Sequence, residues 1–368
     1  MTTCPTRRDM LAAATAFGVA GPALSAPEAL HREDLFTVSD DGFRLHAREV
    51  RPAAPHGASP GAPLILLHGA RAPGVASFDL PVAGGSLAGD LAQRLNRRVY
   101  VMDARGYGAS QRPAAMGRPP EQSRPLSRAF EVVRDIEAVR KLAALRSKDG
   151  GSGSRQVGLI GWATGGLWAG FYAALRPESV AGLATINALY GGSDVHPMLG
   201  PGSAVAQPGQ PRRFDPTTGG YALYPAASLI GVWERNIPVA DKDAWRDPAL
   251  ARALAAAVLA SDPDSGRHDP PRFRAPLGAL EDSFYQACGR RLYDAGSITA
   301  PVLLLRSERD FWSRPADLDA FVADAGRSPS VKAVTLAGAT HFVHLDRPDR
   351  GRDRLLAELI DHFGGIRA

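Results

Sequence analysis

QVGLIGWATGGLWAGF, residues 156–171, is the stretch whose reading decides the fold. Its apolar run from Val157 to Ile160 predicts a short strand buried on both faces. Gly161 then opens a turn, and Thr164 to Leu175 predicts a helix whose small residues face that strand. Strand, Gly-x-x-x-Gly turn and helix together form the frame of a nucleophile elbow, where side chains larger than glycine's would collide across so sharp a bend. The position that should present the reacting atom is Ala163, and it carries only a methyl group.

Outward from this frame, short apolar runs alternate with helical patterns. Phe36 to Val50, with Asp40-Asp41-Gly42 at its centre, predicts an amino-terminal hairpin, and a Pro/Gly-rich loop follows from Arg51 to Ala62. Pro63 to Leu67, Val99 to Met102 and Val180 to Ile186 predict buried strands, with a helix at Ser86 to Leu95. Between Leu126 and Leu145, the residues Phe130, Val133, Ile136, Val139 and Leu142 recur three or four apart and predict the apolar stripe of a helix. A strand at Val302 to Leu305, a helix at Pro315 to Ala325, a strand at Ala333 to Leu336 and a helix at Asp353 to Phe363 close the chain. This rhythm predicts an α/β fold with a mostly parallel central sheet covered by helices on both faces.

The rhythm lapses between Asn187 and Ala279, where the chain is rich in Pro and Gly but holds helical patterns at Ala226 to Arg235 and Pro248 to Ala260. It resumes with a predicted helix at Leu280 to Leu292. The interval is too long for a plain crossover. It reads as an inserted lid over 190–278, splitting a core of 27–189 and 279–368.

The chain has 368 residues and a formal charge of +5, with basic residues scattered rather than clustered. Glu131 with Arg134 and Glu137 with Lys141 are spaced to pair along a helix. No nucleic-acid module, zinc-like Cys/His spacing or nucleotide-binding glycine fingerprint is present, since Gly106 and Gly108 lack the third glycine and following helix. Neither a cofactor nor a metal is expected. Thr6-Arg7-Arg8-Asp9-Met10-Leu11 before a mild apolar run to Leu24 resembles a bacterial twin-arginine export signal, so residues 1–26 are expected to be removed and the protein to be periplasmic or secreted. Cys288 would then be the sole cysteine, packed as a small hydrophobe on a helix. Nothing after the signal is apolar and long enough to span a membrane.

Gly161-Trp162-Ala163-Thr164-Gly165 matches the elbow of the α/β-hydrolases in everything except the central serine. From about Asp40 to Phe363 the chain resembles that family, and in particular its lidded serine esterases, with Tyr190 to Pro276 the weakest part. The resemblance implies roles for residues elsewhere. His341, in the loop after the last strand, stands where the family keeps its base, with His344 as its competitor. Asp310 resembles the triad acid, with Glu308 as the alternative two residues away. The backbone N–H groups of Ala70 and Thr164 would form the oxyanion hole. Arg71 adjoins Ala70, and Trp162 and Phe342 would line the pocket, although Trp162 could equally pack on the sheet. His68 reads as a structural turn residue, and Asp103 and Arg105 as braces between loops.

Alanine at 163 cannot attack a carbonyl. Its lack of a carboxylate also argues against the Asp-dependent dehalogenases and epoxide hydrolases of the same fold. An intact base, acid and pair of elbow glycines favour a Ser→Ala change in an otherwise competent esterase or lactonase, made to keep a small-molecule substrate uncleaved. The alternatives are a natural binding protein of the same fold and a cofactor-free enzyme that uses His341 without a covalent intermediate. Tyr221, Tyr224, Trp233 and Trp245 in the insertion favour a partly apolar ligand or serve only to dock the lid.

Overall fold

The computed structural model describes residues 1, 30–54, 61–149 and 155–366. The export-signal segment therefore lies outside the described residues. Two antiparallel strands, β1 (Leu30–Val38) and β2 (Arg44–Pro52), form the amino-terminal hairpin. Gly42 turns it at φ 87°, a conformation that costs glycine little. Strand β3 (Leu64–Leu67) is followed by helices α1 (Gly74–Phe78) and α2 (Leu87–Leu95), the second capped by the Ser86 side chain, which accepts from Gly89 N–H at 2.8 Å. Then come β4 (Val99–Met102), α3 (Ala129–Asp149), β5 (Val157–Trp162), α4 (Thr164–Leu175) and β6 (Val180–Ile186).

After β6 the chain leaves the main sheet. It forms two small antiparallel pairs, β7 (Ala206–Gln207) with β8 (Gln210–Phe214) and β9 (Tyr221–Pro225) with β10 (Arg272–Pro276). Helices α5 (Ala227–Arg235) and α6 (Pro248–Ala260) lie between β9 and β10. The chain returns through α7 (Gly278–Ala287), β11 (Val302–Arg309), α8 (Pro315–Asp324), β12 (Val331–Thr340) and α9 (Arg352–Gly364). Among the described residues no helix is long and apolar enough to cross a membrane.

The main sheet has eight strands in the order β1-β2-β4-β3-β5-β6-β11-β12. It is parallel except where β2 pairs with β1 and β4. β3, β4, β5 and β6 are buried along their whole length, because helices cover both faces and leave no face for water. Helix α2 packs beside α9, and α3 beside α4. Strand order reverses at β3, which has β4 on one side and β5 on the other. Their carboxyl ends diverge there into a crevice, the place where open α/β sheets hold ligands.

Two elements differ from expectation. Helix α3 begins at Ala129, and its buried face is Val132, Ile136, Val139 and Ala143; Phe130 is 58% exposed, beside Arg128. The predicted stripe is right at Ile136 and Val139 and one residue off at each end, where Val132 and Ala143 are buried and Val133 and Leu142 are only half-buried. Helix α7 ends at Ala287 rather than Leu292, since Gly289 at φ 82° turns the chain away. Cys288 is a free, buried cysteine at that end, packed with Phe214 and Phe284.

Candidate active site

Ala163 joins β5 to α4 at φ 52°, ψ −117°, a backbone conformation an L-residue adopts only under constraint. The constraint is visible on both sides. Ala163 N–H donates to Ile186 O at 2.8 Å, and its carbonyl accepts from Gly166 N–H at 3.0 Å. A Cβ on Gly161 would meet Gly165 O at 2.2 Å, and one on Gly165 would meet Leu67 O at 2.0 Å, so both positions must be glycine for α4 to press this closely on β3 and β5. Thr164 opens α4, where the first N–H groups have no carbonyl partner within the helix.

The second loop of the crevice follows β3. Ala104 N–H donates to His68 Nε2 at 3.2 Å, so Nδ1 carries the proton and donates to Gly69 O at 2.7 Å. Burial pushes the His68 pKa down and keeps the ring neutral in that tautomer. With the Gly69 carbonyl held against His68, the N–H of Ala70 points the opposite way across the same planar peptide, and Ala70 lines the cavity. Tyr107 Oη fixes the next peptide by donating to Ala70 O at 2.7 Å.

The loop from Thr340 to Asp346 carries His341. Its Nδ1 lies 2.6 Å from Asp310 Oδ1, beyond the end of β11. Asp310 also accepts from Trp312 N–H (3.1 Å), from Ser313 N–H (2.7 Å) and from the Ser313 hydroxyl. A carboxylate surrounded by donors is held as an acceptor, which makes His341 Nδ1 the donor and leaves Nε2 bare. Nε2 has no hydrogen-bond partner among the described residues, and His341 lines the cavity with Ala163. Glu308, the sequence alternative, is exposed and accepts instead from Gly338 N–H at 2.6 Å. His344 is fully buried behind Trp162, their ring centroids 4.6 Å apart, and neither of its ring nitrogens has a partner. It lies outside the cavity lining.

Trp162 lines the cavity and also braces it. Its indole N–H donates to His341 O at 2.9 Å, and its ring packs against Phe342 with centroids 5.2 Å apart. Three supporting residues escape a reading of the sequence. Asn187, at φ 54° after β6, donates to His341 O (3.1 Å) and Ser307 Oγ (3.0 Å) while accepting from Ser307 N–H (2.7 Å). Asp346 accepts from Thr340 N–H (2.9 Å) and from Trp233 Nε1–H (2.8 Å), tying α5 to the His341 loop. Burial pushes the Asp346 carboxyl up to about 6. Ser313, already noted, has no signal beyond lying three residues after Asp310. A polar residue directly after a buried strand was the one available sign for Asn187. Asp103 and Arg105 do brace loops: Asp103 accepts from Gly74 and Ala109 N–H and meets His46 Nδ1 at 2.8 Å, and Arg105 pairs with Asp135 and Asp41.

These groups surround a cavity of about 170 Å³ lined by core residues and by Met198, Leu199, Tyr224, Leu229 and Val232 from the segment between β6 and α7. Of Tyr221, Tyr224, Trp233 and Trp245, only Tyr224 reaches the lining. Trp233 stacks on Phe342 at 5.3 Å, and Trp245 lies under Arg350 at 4.9 Å, so these two dock the segment between β6 and α7 on the residues after β12. Among the described residues no group of three or more His, Cys, Asp or Glu could hold a metal ion.

Residues 64–353 match the Alpha/beta hydrolase family. Solved structures of similar fold include an esterase from a Rhodococcus species, at 21% identity and TM-score 0.54, with 90% of this chain and 99% of that one covered. E-2-(acetamidomethylene)succinate hydrolase aligns at 18% identity and TM-score 0.53, over the same 90% and 99%. A thermophilic esterase from Thermogutta terrifontis aligns at 17% identity and TM-score 0.52, again over 90% and 99%. No curated protein matches the chain.

Proposed function

The chain belongs to the α/β-hydrolase family, and from that premise we propose that it is a hydrolase of carboxylic esters or lactones whose nucleophilic serine has been replaced by Ala163. One observation carries the reading: the His341–Asp310 pair is fully formed at 2.6 Å, with Nε2 unengaged, beside a turn that still holds Ala163 at φ 52°. A site that had become a plain binding pocket would gain nothing from a strained backbone and a polarised imidazole.

In the serine form, the hydroxyl at 163 attacks the carbonyl carbon and gives its proton to His341 Nε2, while Asp310 holds the ring and stabilises the imidazolium. The Ala70 and Thr164 N–H groups receive the negative charge that develops on the carbonyl oxygen. His341 then protonates the leaving alcohol, takes a proton from the water that attacks the acyl carbon, and returns that proton to the serine oxygen as the acid departs. Residues 190–278 serve as the lid that closes this cavity and selects the acyl and alcohol groups.

With Ala163 in place no acyl-enzyme forms. What remains is the oxyanion donors and a base for water, which in related triads sustains roughly 10³–10⁴-fold over the uncatalysed rate. The test is hydrolysis of a panel of short esters and lactones by the chain and by its Ala163→Ser form. Burst acylation followed by turnover in the serine form alone is the expected result. Silence from the serine form across the panel, with ligand retained by both, would establish a binding protein instead.

A further inference from the structure

Most of the cavity wall is apolar, with Leu199, Leu229, Val232, Leu277 and Phe342 among its side chains. Arg71 is the exception. Apart from His341 it is the one basic residue in the lining, and no acidic residue lines the cavity with it. Other enclosed guanidinium groups have partners, most of them carboxylates: Arg105 pairs with Asp135 and Asp41, Arg274 with Asp262 and Arg314 with Asp317, while Arg97 donates to the carbonyls of Phe363 and Ile366. The Arg71 guanidinium has no ion pair or hydrogen bond among the described residues, and its nitrogens stay accessible.

Its one fixed contact is the ring of Tyr224 on β9, 4.8 Å from the guanidinium carbon. An aromatic face holds the planar cation by its surface and leaves the N–H edge free. That edge suits the two oxygens of a carboxylate. The size of the cavity limits where the carboxylate can be. Ala70 and Arg71 line the same cavity of about 170 Å³, so a carboxylate on Arg71 and a carbonyl oxygen received by the Ala70 N–H belong to one short ligand.

We propose that Arg71 is the anion-binding residue of this cavity and that the substrate is the monoester of a short dicarboxylic acid. The assignment rests on the ester-hydrolase reading for its reaction, but the binding of the anion is measurable apart from it.

Ala163 keeps such an ester intact, so the chain as it stands can be titrated calorimetrically with monoethyl succinate, a monoanion, and with neutral diethyl succinate. A charge-assisted pair predicts the monoanion bound roughly 10- to 100-fold more tightly. Arg71→Gln should bring that ratio close to one, and Arg71→Lys should keep part of it. Equal binding of the two esters, no binding of either, or a ratio that survives Arg71→Gln would each overturn the proposal. The Ala163→Ser form separates the two ideas. An Arg71-dependent preference in binding without hydrolysis of either ester would sink the hydrolase reading and leave the anion site standing. Faster hydrolysis of the diester than of the monoanion would do the reverse.

Discussion

Replacing Asp310 by Asn in the Ala163→Ser background tests whether the carboxylate does more than fill space. Its two oxygens accept from His341 Nδ1, Trp312 N–H, Ser313 N–H and the Ser313 hydroxyl. An amide has one acceptor oxygen, so it fits neither way round. With its NH₂ toward His341 it opposes Trp312 N–H and forces the imidazole proton onto Nε2, where His341 can no longer accept from a serine hydroxyl. With its NH₂ toward Ser313 it opposes Ser313 N–H and removes the negative charge that stabilises the imidazolium. Either arrangement leaves one buried backbone donor unmatched, at a cost of about 1–3 kcal/mol in stability. The tautomer change lowers kcat by about 10⁴-fold in a triad. Steady-state hydrolysis with a thermal melt on the same samples measures both. Glu308→Gln is the control, because Glu308 accepts only from Gly338 N–H and does not touch His341; it should leave kcat unchanged. A loss of less than about tenfold on Asp310→Asn, or an equal loss on Glu308→Gln, would refute the assigned geometry.

Further expectations follow from the same geometry. Gly165→Ala places a Cβ 2.0 Å from Leu67 O and 2.7 Å from His68 O, both backbone atoms with nowhere to move; it should cost about 3 kcal/mol, read as a lowered denaturant midpoint. His344 has its pKa pushed down from 6.5 to about 3, chiefly by burial and then by the neighbouring charges of His341 and Arg352. A folded pKa below the unfolded value gives stability that is complete above pH 6.5 and is lost as pH falls toward 3. At pH 5 the loss is about 2 kcal/mol, and His344→Phe should remove that part of the acid sensitivity in denaturation curves taken between pH 8 and 5. Equal slopes for the two proteins would show that His344 does not titrate as described.

Much of the fold is legible in residue order because the signals are local. Val157 to Trp162 and Val180 to Ile186 are apolar without alternation, and only a strand covered on both faces tolerates that. The glycines at 161 and 165 mark a turn whose closeness no other residue permits. The same reading fails where context overrides pattern. Phe130 fits the periodicity of α3 yet faces water, and β7 to β10 give only a short signal, because each has five residues or fewer and pairs only with its neighbour.

Sequence by itself determined the α/β architecture, the sharp turn at Ala163 and the candidacy of His341, each of which depends on residues adjacent in the chain. Tertiary structure decided what depends on distance. It set Asp310, not Glu308, against His341, and it buried His344 without a partner. It drew Asn187 onto the loop that holds the imidazole, and Trp233 of α5 onto Asp346 at the end of that loop. It also left Arg71 over Tyr224 with its charge unmatched. Hydrogen bonds and ion pairs act over about 3–4 Å, and residues hundreds of positions apart meet at that range only after the sheet has brought its strand ends together.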